Sequence, residues 1–281
     1  MTTPDFVVIG HVVRDLLPRG WRLGGTATFA AVQAQRLGFR VGVVTRAGPE
    51  LSLPALLPDV MFAGGASTST TSFENVYEGG RRRQRVLSQA EPLTGDDVPA
   101  AWRGAPIVLL GPVCGEAPPG LGELFPRSLV GVSAQGWLRR VDSSRRVRRR
   151  AWTGKRFWPG CRVLFVSDED LGRRRDQLAR WTAEVPLVVL TRYRRGARMH
   201  WRRRWRSIKA FPSREKDPTG AGDIFAAAFL VRYYETSDVA GSARFASAAA
   251  ACSVEAPGIE RIADRATIEA RMEEHPEIVL R

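Results

Sequence analysis

Asp217-Pro-Thr-Gly-Ala-Gly-Asp223 runs without a break into Ile224-Phe-Ala-Ala-Ala-Phe-Leu230, a glycine-rich turn emptying into an apolar helix. Small residues let backbone amides converge. At a helix start the first N–H groups lack intrahelical partners, and the positive end of the helix dipole favours an anion. The amides of Gly220, Ala221 and Gly222 therefore form a candidate anion hole. Asp223, in the first turn, places a carboxylate beside that hole. It can accept a proton from an attacking hydroxyl while the amides stabilise charge on a phosphoryl group in transfer. A plain glycine turn with Asp223 as helix cap would explain a lone G-x-G-D; the full heptapeptide favours the chemical reading.

Working outward, the chain alternates short apolar runs with helical spacing. Phe6-Val-Val-Ile-Gly10 reads as a buried strand ending in a functional loop, Thr26 to Leu37 as a helix stopped by Gly38, and Arg40 to Thr45 as the next strand. Further core strands are expected at Ile107 to Leu110, Leu129 to Ser133, Val163 to Val166 and Leu187 to Leu190, with a hairpin over Ala197 to Trp201 and Trp205 to Ala210. Asp168 to Trp181, Ala221 to Tyr234 and Val239 to Ser253 read as helices. This order predicts an α/β fold with a mostly parallel sheet and crossover helices. Residues from about 60 to 90 change character. Around the Glu78-Gly79-Gly80 turn they predict exposed strands forming a small β-flap.

At 281 residues and 44% hydrophobic, the chain suits one large domain over residues 1–281. No apolar run is long enough for a membrane-spanning helix, and MTTPDFVVIG lacks the basic start of a signal peptide, so the expected location is cytoplasmic. Cys114, Cys161 and Cys252 are odd in number and lie outside C-x-x-C spacing, which predicts free thiols rather than disulfides or zinc ligands. The net charge of +14 raises nucleic-acid binding as a reading. All but three of the 43 basic residues are arginine, however. With abundant Ala, Gly and Pro this resembles the bias of a GC-rich coding sequence, which adds charge without selecting a partner. The arginine clusters at 81–83, 139–150 and 202–206 read as solvated surface, with attraction of anionic substrates as the alternative.

The heptapeptide and its helix closely resemble the C-terminal signature of the ribokinase-like (PfkB) carbohydrate kinases. Gly10 and Asp15 in I-G-H-V-V-R-D resemble that family's first-strand loop, and Leu23-Gly24-Gly25 before a helix resembles its di-glycine substrate motif. The resemblance implies a ribokinase-like three-layer α/β/α fold with a small β-lid, drawn from about 11–24 and 60–90. It also implies ATP-dependent phosphorylation of a hydroxyl on a small sugar or polyol, with ATP and Mg²⁺ as cofactors. Carried over, Asp223 is the catalytic base, Asp15 hydrogen-bonds the acceptor, and Gly24 and Gly25 allow its close approach. Thr28 is the candidate substitute for the family's asparagine. Thr191 and Gly196 fall at the nucleotide loop, joined by Thr219, and Ser253 and Gly258 at the adenine side. Asp168 and Asp170 stand where the family organises magnesium through Asn-x-x-Glu; neither end residue matches, but carboxylates are suitable hard donors, directly or through water. The pattern L-G-G-T-A-T-F with T-S-F-E-N-V-Y resembles the inositol and sugar-kinase branch. The short stretch between Asp15 and Gly24 leaves little room for a lid-mediated dimer, so a monomer or weak homodimer is expected. The rival readings are a non-catalytic binding or regulatory protein of the same fold and an arginine-rich nucleic-acid-binding protein.

Overall fold

The computed structural model describes residues 2–78, 81–152 and 160–281. The chain opens with strand β1 (Phe6–Ile9), the pair β2 (Val13–Leu16) and β3 (Trp21–Gly24), helix α1 (Gly25–Arg36) and strand β4 (Val41–Val44). There follow α2 (Leu53–Leu56), β5 (Val60–Ala63), β6 (Ser72–Glu78), β7 (Arg81–Ser88), β8 (Ile107–Leu110) and β9 (Leu129–Ser133). The second half holds β10 (Arg139–Val141), β11 (Val147–Arg149), β12 (Cys161–Ser167), α3 (Asp168–Leu171), α4 (Arg175–Glu184) and β13 (Leu187–Thr191). It ends with β14 (Ala197–Trp201), β15 (Arg204–Ile208), α5 (Ala221–Thr236), α6 (Val239–Ser253) and α7 (Arg265–Glu274).

Nine strands form one sheet in the order β15-β14-β13-β12-β9-β8-β1-β4-β5. The seven from β13 to β5 are parallel, and the β14–β15 hairpin closes one edge antiparallel. Both faces are covered, which is why β1, β4 and β8 are apolar throughout and fully buried. One face packs on α1, α5 and α6. Their alanines permit close approach, and Ile224 to Val231 of α5 are all buried. The other face is covered by α4 and short 3₁₀ turns, with Trp102, Phe125, Trp137 and Trp181 in its core. This is the expected ribokinase-like α/β/α arrangement.

A separate four-stranded sheet, β3-β2-β6-β7, forms the flap. Its extent corrects the sequence reading at one end: Val60–Ala63 pairs in parallel with β4 at the edge of the large sheet, so the second flap segment begins at Ser72. Val60–Ala63 is apolar throughout and half-covered, which suits a sheet edge better than a flap. Gly79 and Gly80 of the expected turn lie outside the described residues. The helix expected over 168–181 is broken, because Gly172 at φ +62° ends α3 and α4 restarts at Arg175. The arginine run 139–150 is no featureless surface: it forms the β10–β11 hairpin, tied to the flap by a 2.9 Å hydrogen bond from Val86 N–H to the Arg145 carbonyl. All three cysteines are free, and Cys161 and Cys252 are buried.

Candidate active site

The C-terminal ends of the parallel strands face the flap and the start of α5, and a cavity of about 930 Å³ lies there. Gly220, at φ +79°, caps α5 in a left-handed conformation, and a β-carbon there would sit 2.4 Å from the Phe29 ring. Only glycine fits. The turn is held by hydrogen bonds from Ala221 N–H to the Pro218 carbonyl and from Asp223 N–H to the Gly220 carbonyl. Among the described residues, the amides of Gly220 and Gly222 have no protein acceptor, and the space in front of Gly222 is open. Ala221 is thus partly committed to the turn, and the other two amides are the free members of the anion hole.

Asp223 is half-buried and lines the cavity. Its Oδ1 accepts a 2.8 Å hydrogen bond from the Thr26 hydroxyl at the start of α1. Burial pushes its carboxyl up to about 6, with Asp170 adding to the rise; the Thr26 hydrogen bond and the Arg139 charge pull the other way. A base poised near neutral pH beside free amides is suited to deprotonating a bound hydroxyl.

The flap side presents Asp15, buried on β2 and opposite Arg22 of β3. A β-carbon on Gly24 would lie 2.2 Å from Asp15 Oδ2, so the glycine makes room for this carboxylate. Gly25 has φ +84°, and its α-carbon faces the His11 carbonyl too closely for a side chain. Arg22 pairs with Asp217, and its Nη2 donates to the Thr219 hydroxyl at 3.3 Å, joining the flap to the heptapeptide. Burial alone would raise the Asp217 carboxyl; bonds from Thr219 and the Arg22 charge outweigh it and hold it below the ordinary range.

Thr191 at the end of β13, Gly196 at φ +79° and Thr219, the residues read as nucleotide-binding, all line the cavity. Tyr193, also at positive φ, reaches across to Glu215 through its hydroxyl. Six expected positions do not line the cavity: Asp15, Gly24 and Gly25 on the flap side, and Thr28, Ser253 and Gly258. Thr28 is fully buried and its hydroxyl donates to the Gly24 carbonyl at 2.7 Å, a helical back-bond; Thr26, two residues earlier, is the threonine that meets the base. Ser253 is buried and donates to the Ala250 carbonyl at 2.8 Å, and Gly258 lies past the end of α6 outside the lining. The wall is made instead by Ser247, Ala250, Ala251 and Val254 with Phe211. The i, i+3, i+4, i+7 spacing of the first four is a helical face that the sequence displays.

Asp168 and Asp170 open α3 on the cavity wall. Asp168 Oδ2 is paired with Arg195 at 2.8 Å and Arg192 at 3.4 Å. Asp170 is held by Arg139 at 3.0 Å and by the Ser167 hydroxyl at 2.7 Å. Among the described residues no cluster of three or more metal-ligating side chains occurs. These two carboxylates, hard oxygen donors on the cavity wall, would fit a magnesium ion carried in on donor phosphates and met through water. Gln84, Arg22 and Thr26 were not singled out from sequence, and Arg139 was read only as part of the 139–150 arginine cluster. Only Thr26, adjoining the di-glycine motif, carried a local signal.

The order of strands, the separate flap and the glycine turn at α5 define the ribokinase fold. Residues 154–264 match the model of the pfkB family carbohydrate kinases. Inositol 3-kinase of Oryza sativa subsp. japonica is 29% identical over 279 residues, covering 89% of this chain and 69% of the relative. Cytidine kinase of Thermococcus kodakarensis is 28% identical over 251 residues, 82% of this chain and 88% of that one. Among solved structures, a pyrophosphate-dependent kinase of the ribokinase family, complexed with a pyrophosphate analogue and myo-inositol, superposes with a TM-score of 0.80 at 22% identity, covering 94% of this chain and 99% of that one. Arabidopsis thaliana ribokinase with ribose and ATP gives 0.74 at 20% identity, covering 97% of this chain and 99% of the other.

Proposed function

We propose that the protein transfers the γ-phosphoryl group of ATP to a hydroxyl of a small sugar or polyol, with an inositol or related ring as the first acceptor to test. The observation that carries this is Asp223: a carboxylate raised to about 6, oriented by Thr26 and set beside the free amides of Gly220 and Gly222. The acceptor lies between Asp15, Gly24 and Gly25 of the flap side and Asp223. Its hydroxyl proton passes to the Asp223 carboxylate, the oxygen bonds to phosphorus, and the bridging P–O bond breaks to leave ADP. The amides hold the equatorial oxygens throughout. Magnesium, when bound with the donor, supplies charge neutralisation on the phosphates, and Asp168 and Asp170 would hold its waters. Phe211, Ala250, Ala251 and Val254 offer an apolar wall for the base of the nucleotide, with Thr191, Gly196 and Thr219 along its polar side. Flap closure excludes water as a competing acceptor.

A second donor reading has its own support. Arg139, Arg146, Arg148, Arg192 and Arg195 crowd the donor side of the cavity, a charge excess that suits a compact polyphosphate such as pyrophosphate. The wider proposal is a single domain over residues 1–281, a monomer or weak homodimer acting in the cytoplasm, with no nucleic-acid partner. No described helix is long and apolar enough to cross a membrane.

The deciding experiment is phosphoryl transfer by purified protein with Mg²⁺ and either ATP or pyrophosphate. The acceptor panel holds inositols, ribose, fructose, ketodeoxygluconate, ribonucleosides and hydroxymethylpyrimidine, with Asp223→Asn alongside. Turnover with one acceptor, lost in the variant, supports the reading. Donor binding without turnover on any acceptor favours the non-catalytic alternative, and full activity in Asp223→Asn overturns the assignment of the base.

A further inference from the structure

Three structural units converge on Arg139. Its side chain is 18% exposed and that of its partner Asp170 is 7% exposed, so the pair sits on the cavity wall largely removed from bulk water. Nε donates to Asp170 Oδ1 at 3.0 Å, with Nη2 in ion-pair contact with the same oxygen at 3.0 Å, and Nη1 donates to Oε1 of Gln84, on flap strand β7, at 3.4 Å. Asp170 is itself fixed by the Ser167 hydroxyl. A guanidinium carries five N–H donors in a rigid fork. These bonds leave N–H groups free on both terminal nitrogens, and Arg139 shares the cavity with Asp223, the rise of whose carboxyl its charge opposes. Desolvating such a pair adds little to stability. At this place its value is a fixed positive charge.

We propose that Arg139 is a catalytic residue of the phosphoryl transfer, its free N–H groups contacting the phosphoryl oxygens in flight. This rests on the kinase reading above. Charge spreads over those oxygens in the loose transition state, and a preset guanidinium meets it without reorganisation. Asp170 sets its orientation from the core. Gln84 and the Val86-to-Arg145 bond connect its hairpin to the flap, so the charge and the cover over the acceptor are one assembly.

The test compares wild type, Arg139→Ala, Arg139→Lys and Asp223→Asn with the acceptor and donor found active. Expected for Arg139→Ala is a loss of about 10²- to 10³-fold in kcat, as for removal of one preorganised donor. The acceptor KM should change by about threefold or less. Added guanidinium should restore part of the rate to Arg139→Ala but none to Asp223→Asn, and Arg139→Lys should fall between. A merely structural bridge predicts lowered thermal stability and no guanidinium rescue. If Arg139→Ala does not fold, Arg139→Lys retaining full kcat overturns the proposal. An active wild type with an Arg139→Ala that keeps its kcat, or is not rescued, overturns it alone. A wild type silent with every donor and acceptor removes the kinase reading, and this proposal with it.

Discussion

Replacing Asp223 with Asn should stabilise the protein while abolishing its turnover. The ordinary carboxyl titrates at 3.8 and the folded one at about 6, chiefly because burial disfavours its charge. Two units correspond to a ceiling of about 3 kcal/mol lost to the fold once the group is ionised. Asp223 opens onto a cavity rather than a sealed core, so solvent reduces this to about 1–2 kcal/mol. In a chain of this size that is a rise in Tm of about 2–3 °C for Asp223→Asn at pH 8. The sign follows from proton counting. Between the two titration points the folded state binds the proton and the unfolded state does not, so the wild type loses stability as pH climbs through that window. Below pH 4 both states are protonated and the gap between wild type and variant should close. Thermal unfolding of both proteins at pH 4, 6 and 8 measures this, and the Thr26 hydroxyl can still donate to the amide oxygen, so no new unpaired group is created. A variant no more stable than wild type at pH 8, or a gap that ignores pH, would refute the argument that burial sets this carboxyl. Turnover should fall by about 10²- to 10⁴-fold through loss of the base.

Three further outcomes follow from the same geometry. Thr26→Val removes the hydrogen bond that lowers the Asp223 carboxyl, so the acid limb of the kcat/KM–pH profile should move above its wild-type position near 6; an unmoved limb would disconnect the two residues. Gly24→Ala drives a methyl into Asp15 Oδ2, and because Gly24 has an ordinary extended backbone the effect is purely steric: the acceptor KM should rise about tenfold or more with donor binding kept, as calorimetry with each ligand would show. Gly220→Ala meets both a left-handed backbone and the Phe29 ring, and should cost about 2–3 kcal/mol in urea unfolding along with most of the donor affinity.

The alternation of apolar runs with helical spacing was enough to specify the fold, and the heptapeptide 217–223 and the di-glycine at 24–25 supplied the base and anion hole that we propose. Each is a local pattern whose consequence is local: glycines open amides, apolar tetrads make buried strands, alanine faces make tight helices. Thr191, Gly196 and Thr219 line the cavity for the same reason, sitting in or beside loops at the sheet's C-terminal edge. Thr28 and Ser253 fell the other way because orientation on a helix turns by about 100° per residue, and which face a helix presents is decided by what it packs against; Gly258 lies in the loop past the end of α6. What the sequence by itself determined was the strand and helix order and the chemistry of one turn. Only the tertiary structure decided which arginines of a uniformly arginine-rich chain matter. Arg139 reaches Asp170 and Gln84 across 31 and 55 positions, and Arg22 reaches Asp217 across 195, separations over which no local pattern carries information.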